Sequence, residues 1–142
     1  MTKIAVFIDM NVFIGSYRKL SKDINCLNFL YQERGVKLYT SSLVASQIIA
    51  KLSKAKGKWK ESNISIINKV KKILKNVYIL PFDETDIENS LETDVKDLED
   101  NIQYHLSQKI PCTILVTNNV KDYKFYSNIT VLKPSEIRGA IQ

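Results

Sequence analysis

The chain has a single histidine, His105, which argues against the His-rich set that a catalytic zinc ion needs. Its two cysteines, Cys26 and Cys112, are isolated among apolar neighbours with no C-x-x-C spacing. They read as buried free thiols rather than as a disulfide framework or a metal knuckle. No apolar run approaches the ~18 residues that span a bilayer, so no membrane association is expected. The apolar stretch Ile4–Ile8 is cut by Asp9, which argues against a secretory signal and for a cytoplasmic protein. Internal repeats, low-complexity stretches and Pro/Gly-rich linkers are also lacking, so the 142 residues read as one domain, 1–142.

Charge is plentiful but segregated. Residues 51–75 hold nine lysines against the single acid Glu61, a tract suited to a polyphosphate backbone. Residues 83–101 hold nine acids against the single base Lys96, a cluster suited to a hard cation. Either tract alone reads as a solvated helix face. Together in a chain of net charge +6 they point to a metal-dependent enzyme acting on nucleic acid.

The apolar pattern alternates between strand and helix. Ile4–Ile8 is nearly all apolar, as in a strand buried on both faces. Asn11–Ser16 then begins a helix. A second helix is expected over Asp23–Arg34, stopped by Gly35, and a strand over Val36–Thr40. Ser41 or Ser42 caps a helix over Leu43–Leu52, and Lys54–Glu61 reads as a polar connection. Ile64, Ile67, Val70, Ile73 and Leu74 recur at helical spacing. Val77–Leu80 is a third strand, closed by Pro81, and Asp83 caps a short helix through Leu91. A longer helix is expected from Val95 to Gln108, with Leu98, Ile102 and Leu106 inward, broken by Pro111. Thr113–Val116 and Thr130–Leu132 are the last strands, and Pro134 opens a terminal helix. This order implies a three-layer α/β/α fold with a mostly parallel sheet of four to five strands, which places its site at the strands' carboxyl ends.

Three segments at such positions carry chemistry. The first strand ends in Asp9-Met10-Asn11 with no Gly-rich turn after it, so a dinucleotide or P-loop cradle is excluded there. Asp9 either caps the next helix or faces the crevice, and Asn11 can tether it or a phosphate. Asp97, Asp100, Asn101 and Tyr104 share a helix stripe, with Asp94 and Glu99 beside them. Acids in a first helical turn favour the helix dipole, but this many repel one another unless a cation neutralises them. The third segment is a polar turn presenting Thr117, Asn119 and Asp122.

In this order the segments resemble the PIN domain family of ribonucleases, in its bacterial, VapC-toxin-like branch. The resemblance rests on Asp9-x-Asn11, on Thr40-Ser41-Ser42-Leu43, and on the run from Asp97 to Tyr104. It continues in Thr117-x-Asn119-x-x-Asp122-Tyr123 and in Val131-Leu132-x-Pro134-x-Glu136, so it spans nearly the whole chain. It implies a PIN-like fold with Mg²⁺ or Mn²⁺ as cofactor and hydrolysis of RNA phosphodiesters. The catalytic acids carried over are Asp9, Asp97, Asp100 and Asp122. Asp9 and Asp100 are the implied metal ligands, with Asp122 or Asn119 completing or orienting the site and Asp97 touching the ion directly or through a neighbour. Asn11, Ser42, Gln47, Glu99, Thr117 and Asn119 are the supporting residues.

Two positions depart from relatives. Gln47 stands where the helix after Ser42 usually carries Glu; its amide can coordinate a hard cation without adding charge, or it is a structural amide. Asn118 stands where Arg is common. RNA is expected along Lys51, Lys54, Lys58, Trp59 and Lys60, with Tyr39, Trp59 or Tyr104 for stacking. The implied role is an endoribonuclease, the toxin of a toxin–antitoxin pair, with an antitoxin protein and a second copy of itself as partners. Gln47 and Asn118 leave open a PIN-like module that binds RNA or protein without cutting. A phospho-accepting receiver domain needs a second acid just before Asp9, and Phe7-Ile8 supplies none.

Overall fold

The computed structural model describes residues 4–59, 61–92, 98–110, 114–124, 126 and 128–141, with side chains left aside at 55–59. Five strands form one all-parallel sheet: β1 (Ile4–Ile8), β2 (Val36–Ser41), β3 (Val77–Leu80), β4 (Ile114–Val116) and β5 (Thr130–Leu132), in the order β3-β2-β1-β4-β5. The helices are α1 (Met10–Tyr17), α2 (Ser21–Gln32), α3 (Ser42–Trp59), α4 (Asn63–Leu74), α5 (Glu84–Leu91), α6 (Leu98–Ser107) and α7 (Ile137–Ile141). Short 3-10 turns span Val120–Tyr123 and Pro134–Glu136.

β1 is central, and its alternate side chains feed two cores. Val6 and Ile8 pack with residues of α1, α2, α3 and α4. Ala5 and Phe7 pack on the other face with Leu106, Leu115, Tyr123 and Ile129. That double burial is why the strand reads as a continuous apolar run. The chain builds outward from β1 to β2 and β3, then returns to lay β4 on the opposite side of β1. The direction of winding reverses between β1 and β4, and it is beyond the carboxyl ends of such a strand pair that sheets of this kind form their crevice.

Several expected boundaries shift. α3 does not stop at Leu52: the segment read as a polar connection continues as helix to Trp59. Lysine and alanine are strong helix formers and no proline interrupts them, so polarity alone does not end the helix; Gly57 costs only ~1 kcal/mol. In α4 the buried positions are Ile66 and Val70, while Ile64 and Ile67 face outward. In α6, Leu98 is exposed rather than inward, and the buried positions include Asn101, Gln103 and Ser107 beside Leu106. This helix packs against α5 through polar groups: Asn101 Nδ2 donates to the Ser90 carbonyl at 2.7 Å. The expected start of that helix at Val95, and Pro111, Thr113 and Cys112, lie outside the described residues. Cys26 is buried and free, and burial pushes its thiol up to about 12.

Candidate active site

Asp9 is the first residue after β1, and its backbone N–H still bonds the Val116 carbonyl of β4 at 3.0 Å. It caps α1, with Oδ1 accepting from the Met10 N–H at 2.7 Å. The cap uses one oxygen only. Oδ2 accepts from Thr117 Oγ1 at 2.8 Å, from Asn11 Nδ2 at 3.2 Å and from the Tyr123 hydroxyl at 3.3 Å. One oxygen thus caps α1 while the other faces Thr117, Asn11 and Tyr123, and the carboxylate is 6% exposed. Burial raises its pKa most; hydrogen bonds from Thr117, Met10 and Tyr123 pull it down, and the charge of Glu99 pushes it up again.

α6 delivers the second carboxylate. The Tyr123 hydroxyl that donates towards Asp9 also lies 3.3 Å from Asp100 Oδ1. The phenol has one proton for two acids, and it is wholly buried between them. Burial first, then the charges of Asp9 and Asp100, push its pKa far up. Beside the pair, Gln47 of α3 donates from Nε2 to Glu99 Oε1 at 3.1 Å. The carbonyl oxygen of that same amide is buried without a partner. α3 itself is capped by Ser41, whose Oγ accepts from the Val44 N–H at 3.0 Å.

The structure thus gathers Asp9, Asn11, Gln47, Glu99, Asp100 and Thr117 from four separated segments. Three other candidates stand differently. Ser42 Oγ accepts from the Phe82 N–H at 2.9 Å, tying the β2–α3 corner to the segment after β3. Asn119 contributes its N–H to Thr117 Oγ1 at 3.0 Å. Asp122 is exposed and lines a shallow pocket with Asn118, Asn119, Lys121, Lys124 and Lys133, outside the bonds that join Asp9 to Asp100. Asp94, Asp97, Lys60 and the side chains of Lys58 and Trp59 lie outside the described residues. Among the described residues no three His, Cys, Asp or Glu side chains form a ready metal cage. The oxygens on offer are two carboxylates sharing a phenol, with an orphaned amide carbonyl near Glu99. That donor set suits a hard cation.

The two tyrosines expected to be free for stacking have internal partners. Tyr104 stacks on Tyr126 at 3.7 Å between ring centroids, and Tyr39 leans on Tyr78 at 5.4 Å. Sequence reasoning quoted Tyr123 only as an aromatic and did not foresee its hydroxyl between the acids. It also missed Asp23, whose place in the first turn of α2 looks like an ordinary helix-dipole acid.

The all-parallel sheet, the reversal between β1 and β4 and the carboxylate that follows β1 give the chain a PIN-type fold, and it is similar to VapC proteins. It is 27% identical to a protein named Ribonuclease VapC1 of Aquifex aeolicus, covering 92% of this chain and 91% of that protein. It superposes on a chain of VapBC2 from Rickettsia felis bound to a DNA fragment from their promoter. There the TM-score is 0.67 at 17% identity, with 92% of this chain and 98% of that chain covered. A chain of a toxin-antitoxin complex from Klebsiella pneumoniae gives 0.66 at 17% identity over 91% and 97%. No family model matches the sequence.

Proposed function

We propose that the chain, as a single domain, is a divalent-metal-dependent endoribonuclease and the toxin of a toxin–antitoxin pair. The observation that carries this reading is the convergence of Asp9 and Asp100, 91 positions apart in sequence, on one phenol oxygen at the switch crevice. The likeness to a ribonuclease and to chains of toxin–antitoxin complexes supports it. Asp9, Asp100 and the Gln47 carbonyl would hold Mg²⁺ or Mn²⁺. When bound, such an ion stabilises charge on the phosphoryl oxygens and makes water a better nucleophile. The chain's own residues supply the geometry: Thr117 and Asn11 fix Asp9, and Gln47 restrains Glu99 at the crevice. Asp97, outside the described residues, and the exposed Asp122 remain candidates to complete the acidic set.

The RNA backbone has a route leading away from these acids. Gln47, Lys51 and Lys54 follow one another at helical spacing along α3. With ~1.5 Å rise per residue, the two lysines stand about 6 and 10 Å farther along the axis than Gln47. Both are exposed, and Lys58, Trp59 and Lys60 are further candidates for RNA contact. An antitoxin and a second copy of the chain are the proposed protein partners. The cytoplasm is the proposed location; among the described residues no helix is long and apolar enough to cross a membrane.

The reading is tested by RNA cleavage with Mn²⁺ or Mg²⁺ in the native chain and in Asp9→Asn and Asp100→Asn. Loss of cleavage in both variants is expected, and metal-dependent cleavage that survives both overturns the site. A second reading, a module that binds RNA or protein without cutting, is favoured by the neutral Gln47 and by the lack of three clustered acids among the described residues. It predicts salt-sensitive RNA binding with no metal-stimulated cleavage.

A further inference from the structure

Asp23 is a fully buried carboxylate in the first turn of α2, remote from the crevice in sequence. Its Oδ1 accepts from Asn118 Nδ2 at 3.0 Å. Asn118 in turn points its backbone N–H, at 3.0 Å, and its side-chain amide, at 3.4 Å, to Asn11 Oδ1. Asn11 spends both protons of its own amide on Asp9 Oδ2 and Thr117 Oγ1. The chain Asp23–Asn118–Asn11–Asp9 therefore has a direction. The acid at its far end sets which way the Asn118 amide faces, and Asn118 then fixes which face of the Asn11 amide meets Asp9. Reversing Asn11 would put a carbonyl oxygen against the Asp9 carboxylate.

The anchor is held on its other side by contact alone. Asp23 Oδ2 has no hydrogen-bond partner, and a Cβ built on Gly15 of α1 would overlap it. A buried carboxylate with an unpartnered oxygen is costly. An Asp here is hard to explain by stability, since an apolar residue would fill the same space with no desolvation cost. It is explained by what Oδ1 does for Asn118.

We infer that Asp23 is a positioning residue for the Asp9 site, acting through Asn118 and Asn11. The inference rests on the metal-binding reading of Asp9 and extends it to the outer hydrogen bonds that orient a ligand. It also gives Asn118 an internal role: the side chain is turned to Asn11 and Asp23.

Two measurements test it on the full chain: exchange of the Asn11 side-chain amide protons without metal, followed by NMR, and Mn²⁺ affinity from the free-Mn²⁺ EPR signal. In Asp23→Ala and Asn118→Ala the Asn11 protons should exchange faster and Mn²⁺ should bind about tenfold more weakly. Asp23→Asn keeps an acceptor for Asn118 and should hold both values within about threefold of native. Native exchange and native affinity in a folded Asp23→Ala overturn the inference, as does equal damage from Asp23→Asn and Asp23→Ala. If Asp23→Ala does not fold, Asn118→Ala at its half-buried position decides the question. If the native chain binds no Mn²⁺, the metal reading fails by itself, and Asn11 exchange still decides whether Asp23 sets the orientation.

Discussion

The two sides of Asp9 differ in how completely their polar groups are satisfied. Around Thr117 and Asn11 the hydrogen bonds close, and the orphaned oxygen of Asp23 lies only at the far end of that chain. Thr117 Oγ1 gives its proton to Asp9 and accepts from Asn11 and Asn119, and the Asn11 amide uses its two donors and both lone pairs of its oxygen. Towards α3 and α6 they do not. One phenol proton serves Asp9 and Asp100, the Gln47 carbonyl has no partner, and neither amide atom of buried Gln103 has one. Native interiors rarely leave such groups unpaired. The closed side is scaffold, and the open side is where an added charge or donor lowers the energy.

The largest test of this contrast removes the acids themselves. Asp9→Asn or Asp100→Asn should lower metal-dependent RNA cleavage by a factor on the order of 10³ in kcat, measured at saturating metal.

A smaller effect is expected from Tyr123→Phe, which takes away the hydroxyl proton that the two carboxylates share. The metal-free chain should lose about 1–2 kcal/mol of stability, while the rise in Tm on adding Mn²⁺ should grow, because the phenol no longer offsets the repulsion between Asp9 and Asp100 that the cation relieves. An unchanged Mn²⁺-induced shift would mean that the phenol does not mediate between the acids.

The pH dependence of the metal-free chain sharpens the same point. Asp9 has a folded pKa raised above its unfolded value, chiefly by burial. Its ionisation therefore costs nothing below the unfolded pKa and costs stability progressively as pH rises towards and through the folded value. Asp9→Asn removes this ionisation cost, so the metal-free Tm of the variant relative to the native chain should rise as the pH is raised from about 4 to 7. A gain that grows on acidification contradicts the assignment.

The smallest effect lies furthest from the acids. Lys51→Ala with Lys54→Ala should flatten the salt dependence of RNA binding by about one unit of log–log slope per lysine, read in the inactive Asp9→Asn background. An unaltered slope would move the RNA off α3.

Legibility from sequence follows the physics of each element. β1 was readable because burial on both faces leaves no polar position until Asp9. Asp83 was readable as a cap, and it makes a reciprocal capping box with Asp86. The end of α3 was not, because lysine is compatible with both solvated helix and loop. α6 misled for the opposite reason: its inward positions include Asn101 and Gln103, and hydropathy assigns such side chains to the solvent. Within the site, the acids announced themselves by residue type. Tyr123 and Asp23 did not, since a buried hydroxyl and an acid in a first helical turn each have an ordinary explanation until their partners are in view.

The alternation of β1 has a further consequence. Ala5 and Phe7 supply one core, Val6 and Ile8 the other, and Asp9 follows at once. Sliding this strand by a single position would exchange what the two cores receive and turn the carboxylate away from the crevice. Foldedness and competence therefore share one register: a molecule that has lost the pairing of its central strand has no halfway form in which the acids still meet.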